Sequence, residues 1–461
     1  MELVVGGGIV GLSIAWRLSR AGRPVTVVDP APASGASHAA AGMLAPVSEV
    51  AYTEEPLLRL GVASLRRWPS FAAELAEDAG LPPGVLAPSR PPGPFGGARP
   101  VPSSPSRSGP VLSSPARSGP VPSSPARSGP VPSSPARSGP VPSYGLDFRA
   151  DGTLDVAFGA DDLAALDELA GFMGKLGLPV ERLTGRECRR LEPMLAPSVR
   201  GGLLAPGDAW VDPRRVTTAL LAALERLGVP VVPGRVSELL RAPGGPGGGS
   251  GRGQAVVGVR LDSPADGGDL PSEIRADGVI LAAGAWSGEL YDLPIRPVKG
   301  QIMRLRSPEP LLGRCVRGMV HGAPVYLVPR GDGELVVGAT QEEMGFDTRV
   351  TAGGVYELLR DARELVPGVT ELEVAEVVAG LRPGTPDNLP LIGPAGVPGL
   401  TLATGHHRGG VLLAPLTTAI LLGEEPESAA LCSPARHHPA PGAHDRPSGP
   451  YDGNSGSEEM G

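Results

Sequence analysis

Three glycines and one acid near the start of the chain are the residue types and spacing best able to do chemistry. Gly6, Gly8 and Gly11 follow the apolar run Leu3 to Val5, and Asp29 closes a second apolar run, Val25 to Val28. Gly6 allows a tight turn, Gly8 lets the backbone approach a pyrophosphate, and Gly11 lets a helix pack against the strand. Free N–H groups and the dipole at the start of that helix favour an anion. Asp29 can accept hydrogen bonds from both hydroxyls of an adenosine ribose, and it repels a 2′-phosphate.

The elements that must position these residues are legible around them. Leu12, Ala15, Trp16 and Leu18 recur at helical spacing, with Arg17 and Arg20 outside. Gly22 ends the helix and Pro24 stops it restarting. Strand, glycine turn, helix, strand, acid is a dinucleotide-binding unit. That motif alone does not separate FAD from NAD.

Bulk properties narrow the class. At 461 residues the chain has room for two or three domains. Its formal charge is −8, and no stretch outside the repeats is basic, which argues against nucleic acid as a partner. Cys188, Cys315 and Cys432 are far apart, with no spacing for zinc or a disulfide framework. This predicts no metal and suits a reducing, cytoplasmic setting. The chain opens on a folding strand rather than a leader, and the apolar run 410–422 is too short to span a bilayer.

Further along, 39–46 is a row of small residues, suited to lie against a flat cofactor or to begin an Ala-rich helix. Residues 54–77 read as a long amphipathic helix with Leu57, Leu60, Ala63, Leu65 and Phe71 inward. From 85 to 143 the chain is rich in Pro, Ser, Gly, Ala and Arg, and from Pro100 a ten-residue unit recurs with almost no large apolar side chains. Such a segment cannot offset its ordering entropy, and it reads as a disordered cationic insertion. Its proline pattern resembles a ligand for a proline-recognition domain, and neutral repeat expansion explains it as well.

Strands are predicted at 152–158, 201–205, 229–232, 236–240, 255–261 and 278–282, and helices at 160–176 and 216–227, with another starting at 183–188. The run 278–282 reads as a late parallel strand whose end, Ala283 and Gly284, meets the cofactor again. A glycine-rich loop spans 243–253. Antiparallel strands are expected at 295–305, 324–329, 334–338 and 374–381, with a helix at 351–365 and a strand at 401–404. A second glycine-rich turn, 405–410, should open a helix running to 422. From residue 424 the chain reads as a polar, frayed tail.

Taken in order, several segments carry a specific resemblance. They are Val4 to Gly11, Ala39 to Leu44, Pro297 to Gln301, Tyr326 to Arg330, Leu335 to Thr340, Gly380 to Thr385 and Gly405 to Pro415. Together they resemble the FAD-dependent amine oxidases of the D-amino-acid oxidase type, and within them the glycine oxidases of thiamine biosynthesis. The implied fold is α/β: a Rossmann-like FAD-binding domain from 1–84, 212–290 and 379–425, and an antiparallel-sheet α+β substrate domain from 144–211 and 291–378. The disordered Pro/Ser-rich insertion at 85–143 and a disordered tail at 426–461 complete the expectation.

The resemblance also implies roles. Gly6, Gly8, Ile9, Val10 and Gly11 would lie under the pyrophosphate, with Asp29 and Pro30 at the ribose. Ala36, Ser37, Ala41, Gly42 and Met43 would line the ribityl and flavin region. Val236 would touch the adenine, and Ala283 and Gly284 would close the strand end. His406, His407, Arg408, Gly409, Gly410, Val411 and Leu412 would approach the isoalloxazine. Arg382 would bind the substrate carboxylate, Arg408 and Met43 would sit beside the substrate, and Tyr326 would close over it. The catalytic set would be Arg382, Arg408 and Tyr326.

The implied reaction is oxidation of glycine, sarcosine or small D-amino acids, with O2 reduced to peroxide. Arginine suits a planar two-oxygen anion because its fork is rigid and always charged. The resemblance leaves three rivals open: a flavin dehydrogenase of D-amino acids that reduces a quinone, a non-catalytic flavin-binding scaffold, and a nicotinamide enzyme, which the second glycine turn disfavours. It implies transfer of product to a thiazole synthase and leaves the oligomeric state open, a homo-oligomer included. Pro324, Gln341 and Gly409 depart from the family pattern at the pocket rim, which puts substrate preference in question more than cofactor binding.

Overall fold

The computed structural model describes residues 1–49, 53–82, 145–243, 254–262 and 271–437. The repeat insertion, nearly all of the glycine-rich loop and Tyr144 lie outside the described residues.

The opening strand, Glu2–Val5, sits inside a six-stranded sheet because it is apolar on both faces. Its neighbours are Val25–Val28 and Gly278–Leu281, both parallel, with Val4 opposite Val27 and Ile280. Val231–Val232 extends one edge, and Leu400–Thr404 then the antiparallel Leu391–Pro394 extend the other. Side chains alternate between two cores. Val4 and Val27 face the helices Ile9–Arg20, Pro213–Arg226, Ala414–Leu421 and Glu55–Asp78. Leu3, Val5 and Val28 face a three-stranded antiparallel sheet, Val236–Arg241, Val256–Leu261 and Glu273–Arg275.

A second sheet of eight strands forms the other half. Its order is Glu373–Gly384, Arg296–Arg306, Glu334–Gly338, Ala323–Pro329, Cys315–Val320, Thr153–Ala157, Gly201–Ala205 and Glu181–Thr184. Only the pair 315–320 and 153–157 runs parallel. Met303, Leu305, Val325 and Leu327 bury one face under the helix Ala352–Leu365. Their alternates Ile302, Arg304 and Tyr326 point at the nucleotide-type half, so the period of two decides which residues reach the cleft.

Several expectations need correction. The helix expected to follow Gly410 begins only at Ala414, after a 3₁₀ turn at His407–Gly409, with a proline in its first turn. On the long helix Leu57, Ala63 and Leu65 are only half-buried, whereas Leu58, Ser64 and Trp68 face inward. The reason is polar: the Ser64 hydroxyl and the Trp68 indole N–H both donate to the Leu412 carbonyl, at 2.6 and 3.0 Å, and turn that face of the helix toward it. The strands at 181–184, 315–320 and 391–394 were not foreseen.

The expected disordered tail is also corrected in its first dozen residues. Pro426–Leu431 is helical, Cys432 is fully buried, and its carbonyl accepts from Ile392 N–H at 2.9 Å. Arg436 pairs with Asp387 and donates to the carbonyls of Leu389 and Pro390. This segment therefore covers the antiparallel edge strand. Truncation after Glu425 is expected to cost roughly 2–4 kcal/mol of stability, from the lost burial and hydrogen bonds. Thermal unfolding of the truncated and full chains checks it, and equal midpoints would refute the docking.

Candidate active site

A cavity of about 730 Å³ lies where the two halves meet, in the size range of cofactor sites. At one end are the glycine turn and the start of the helix Ile9–Arg20. Gly6 has φ +116° and packs on the Ala282 backbone, where any side chain would collide. A Cβ on Gly11 would overlap the Gly6 carbonyl oxygen, so helix and turn touch backbone to backbone. A Cβ on Gly8 would stand 3.3 Å from the Ser37 hydroxyl, closing the trough. No acid lies in the first turn of this helix, which leaves its dipole free for an anion.

Asp29 organises this end. Its two carboxylate oxygens accept from Gly7 N–H and Ala31 N–H, each at 2.7 Å. An ionised carboxylate has about four acceptor positions, so two remain for diol hydroxyls. Ser37 accepts from Ile9 N–H at 2.9 Å and ties the 36–39 turn to the helix start. Gly234, Arg235 and Val236 flank the far end of the cavity, and Ala283, Gly284 and Trp286 flank its middle.

The segment 39–44 forms a wall. It is a short turn and a two-residue strand, Met43–Leu44, rather than an Ala-rich helix. Gly42 has φ +77°, and a Cβ there would strike the Val211 carbonyl. Arginines from the large sheet fix the wall. Buried Arg330 donates to Ala41 O at 2.5 Å and Val211 O at 3.1 Å, and buried Arg304 reaches His38 O and Ala40 O at 3.5 Å.

Opposite the wall, His406 and His407 line the cavity. The Thr417 hydroxyl donates to Leu413 O at 2.9 Å, so it accepts from His406 Nε2–H at 2.9 Å, which sets that tautomer. Burial pulls both histidines down to about 4, so both are neutral at physiological pH. His407 sits at φ +46°, a left-handed conformation uncommon for a residue with a Cβ.

The other end of the cavity is floored by the eight-stranded sheet. Arg317, Tyr326, Gly338 and Ile302 lie on one row across adjacent strands. Tyr326 lies over Gly338, where a side chain would displace its ring. Burial raises the Tyr326 hydroxyl to about 12, so it stays protonated.

Besides Arg235 at the far end, three arginines border the cavity and differ in their compensation. Arg408 pairs with Glu54 and donates to Glu49 O at 3.2 Å. Arg317 faces Asp155, Nε to Oδ1 3.7 Å, and donates to the Ser48 carbonyl. Arg382 donates only to neutral carbonyls, Thr340 O at 3.2 Å and Lys299 O at 3.4 Å, and among the described residues no carboxylate pairs with it.

Of the residues expected here, most border this one cavity. Gly11, Gly409 and Leu412 do not: Gly11 packs helix on turn, and Gly409 and Leu412 line a small neighbouring crevice. Glu49, Glu54, Trp286 and Arg317 were missed. The signal for Arg317 was its parity with Cys315 in a strand that itself went unrecognised.

Asp208 was missed as well. It is fully buried and accepts from Val47 N–H, Ser48 N–H and the Ser48 hydroxyl, at 3.3, 3.1 and 2.6 Å. It thereby holds the chain just before Glu49.

Comparison with known proteins agrees with this geometry. Residues 3–98 and 141–423 match the family described as FAD dependent oxidoreductase. A bifunctional protein ThiO/ThiG of Nostoc sp. is 31% identical over 91% of this chain and 51% of its own length. The chain thus spans about half the length of the first curated relatives it matches. A glycine oxidase of Geobacillus kaustophilus is 29% identical over 90% of this chain and 89% of its own. The crystal structure of glycine oxidase from that organism superposes with a TM-score of 0.71 at 27% identity, covering 95% of this chain and 98% of the other.

The buried Asp208 gives a pH signature. Burial raises its carboxyl from 3.8 to about 7, against the lowering by the Ser48 and Val47 hydrogen bonds. Between those values the folded chain holds a proton that the unfolded chain has lost. Its contribution to stability is therefore flat below about pH 4, falls by about 1.4 kcal/mol per unit toward pH 7, and is flat again above. Asp208→Asn should flatten that decline. Denaturant midpoints between pH 4 and 8 check it, and parallel profiles for the two proteins would refute it.

Proposed function

The chain belongs to the family of FAD-dependent oxidoreductases, and within it we propose that the protein is a glycine oxidase. The observation that carries the reading is Arg382, a cation at the cavity floor with no carboxylate partner among the described residues, at the opposite end from a glycine cradle suited to a dinucleotide. The backbone-to-backbone contact of helix and turn, the acid-free helix start and the two open positions on Asp29 fit FAD. The overall reaction is glycine, O2 and water giving glyoxylate, ammonia and hydrogen peroxide. The related glycine oxidase of Geobacillus kaustophilus and the ThiO/ThiG relatives support this substrate, and support supply of the product to a thiazole synthase in thiamine biosynthesis.

When bound, FAD accepts a hydride from the substrate carbon and passes the two electrons to O2. The protein's part is placement. The Arg382 fork holds the two carboxylate oxygens, which fixes the direction of the Cα–H bonds. Tyr326 flanks the same floor as a neutral hydroxyl and shuts out water. Neutral His406 and His407 add no positive charge near the amine, which must enter unprotonated for its lone pair to assist loss of hydride. No Ser/His/Asp or paired-carboxylate device is needed.

Purified, FAD-loaded protein given glycine in air should release peroxide and ammonia in equal amounts. Arg382→Met should lower kcat/KM for glycine by roughly 10³-fold, about 4 kcal/mol, with FAD content unchanged. Flavin that is bleached by glycine without peroxide would replace the oxidase with a dehydrogenase. Flavin untouched by glycine, sarcosine and D-alanine would overturn the reading.

A further inference from the structure

Beside Arg382 lies a knot of polar side chains, of which Thr340 borders the cavity while Lys299, Gln301 and Glu342 do not. Lys299 and Gln301 are fully buried on the strand beside that of Arg382. Their common partner is Glu342, in the loop that leaves the strand Glu334–Gly338. The Glu342 carboxylate accepts from Gln301 Nε2 at 2.7 Å and from the Thr340 hydroxyl at 2.6 Å, and it pairs with Lys299 Nζ at 3.2 Å. Burial acts to raise this carboxyl, but those three partners outweigh it and hold it below the usual range.

The knot is tied to backbone as well. Lys299 and Glu342 exchange two main-chain hydrogen bonds, at 2.8 and 2.9 Å. Gln301 N–H donates to the Thr340 hydroxyl at 2.8 Å, and the Gln301 side chain spans to Thr351 through bonds of 3.0 and 2.9 Å. Only two acceptors orient the Arg382 guanidinium among the described residues, the carbonyls of Thr340 and Lys299. Both belong to residues that Glu342 holds directly. A Cβ on Gly300 would collide with the guanidinium, so the fork lies flat on that glycine with those carbonyls on its flank.

We propose that Glu342 is a positioning residue for substrate recognition: by clamping Thr340 and Lys299 it aims the Arg382 fork at the substrate carboxylate. The inference rests on the reading of Arg382 as the carboxylate anchor. It does not rest on glycine being oxidised. The physical reason for a clamp is that carbonyls attract a guanidinium without fixing it as a carboxylate would. A carboxylate partner in the cavity would cancel the charge the substrate needs. Rigid carbonyl acceptors give direction and leave the charge available.

Glycolate, a carboxylate of glycine's size without the amine, is the probe. Its binding to the FAD-loaded protein is measured by calorimetry, alongside the glycine KM and kcat and the thermal midpoint. Four proteins are compared: wild type, Arg382→Met, Glu342→Gln, and Glu342→Gln with Lys299→Met. Arg382→Met should abolish glycolate binding. Glu342→Gln should weaken it by roughly tenfold or more and raise the glycine KM, with kcat far less changed. Glu342→Gln also strands a buried lysine and lowers the midpoint, whereas the double variant removes that charge and should recover the midpoint without recovering glycolate affinity. Recovery of both in the double variant, or wild-type affinity in Glu342→Gln, would overturn the inference while leaving Arg382 as the anchor. Glycolate binding that survives Arg382→Met would overturn the anchor and the inference together.

Discussion

The structure depends on one buried guanidinium. Arg330 leaves the end of a strand in the large sheet and donates to the carbonyls of Ala41 and Val211. Those two carbonyls flank the short antiparallel pair Met43–Leu44 and Ala209–Trp210, one on each of its two segments. Burial lowers the Arg330 pKa, as expected for a charge removed from water, and the nearby Asp212 and Asp147 oppose that shift. The link reinforces the direct bond from Val211 N–H to the Gly42 carbonyl, 2.9 Å, and ties the wall of the cavity to the large sheet. Arg304 repeats the device two strands away, with Glu334 as its counter-charge.

The two halves reach the site by different routes, and this decides how legible each was in the sequence. The nucleotide-type half is written in local terms. Gly6, Gly8, Gly11 and Asp29 lie within a few dozen residues, and each answers a constraint of backbone approach or hydrogen bonding that only a few residue types meet. The large sheet is written in non-local terms. Alternation revealed the strands at 296–306, 323–329 and 334–338. The row Arg317, Tyr326, Gly338 and Ile302 exists only because of a register that no spacing encodes. Arg317 was invisible because its strand, with Gly318 at its centre, carries weak strand propensity. Asp208 was invisible because a lone acid after a glycine reads as a turn residue. Its burial follows from Val47 and Ser48, about 160 residues earlier.

The C-terminal segment illustrates the same division. Residues 424–437 are polar enough to read as frayed, yet Cys432 and Arg436 dock on an edge strand that was itself unforeseen. An edge strand presents unpaired backbone groups, and covering it is a need of the sheet rather than of the covering segment. Local composition in the tail cannot report that need.

Charge compensation in the cavity then bears on selectivity. Four guanidinium groups border it, and three are already answered, Arg408 by Glu54, Arg317 by Asp155 and Arg235 by Asp262 and Glu289. Among the described residues only Arg382, of these four, has no carboxylate partner, and the neutral histidines add no charge. A substrate with one carboxylate finds one complementary cation. A second carboxylate would have to compete with Glu54 or Asp155 for an arginine already engaged, or lie beside Glu49 and be repelled by it. Unlike charges brought together at low dielectric are costly to separate, so such competition is unfavourable. The wall opposite, Ala39 to Met43, admits little bulk, and its backbone is pinned from behind by Arg330 and Arg304. The proposed substrate, glycine, brings the single carboxylate and the small bulk that one open charge and one immovable wall favour.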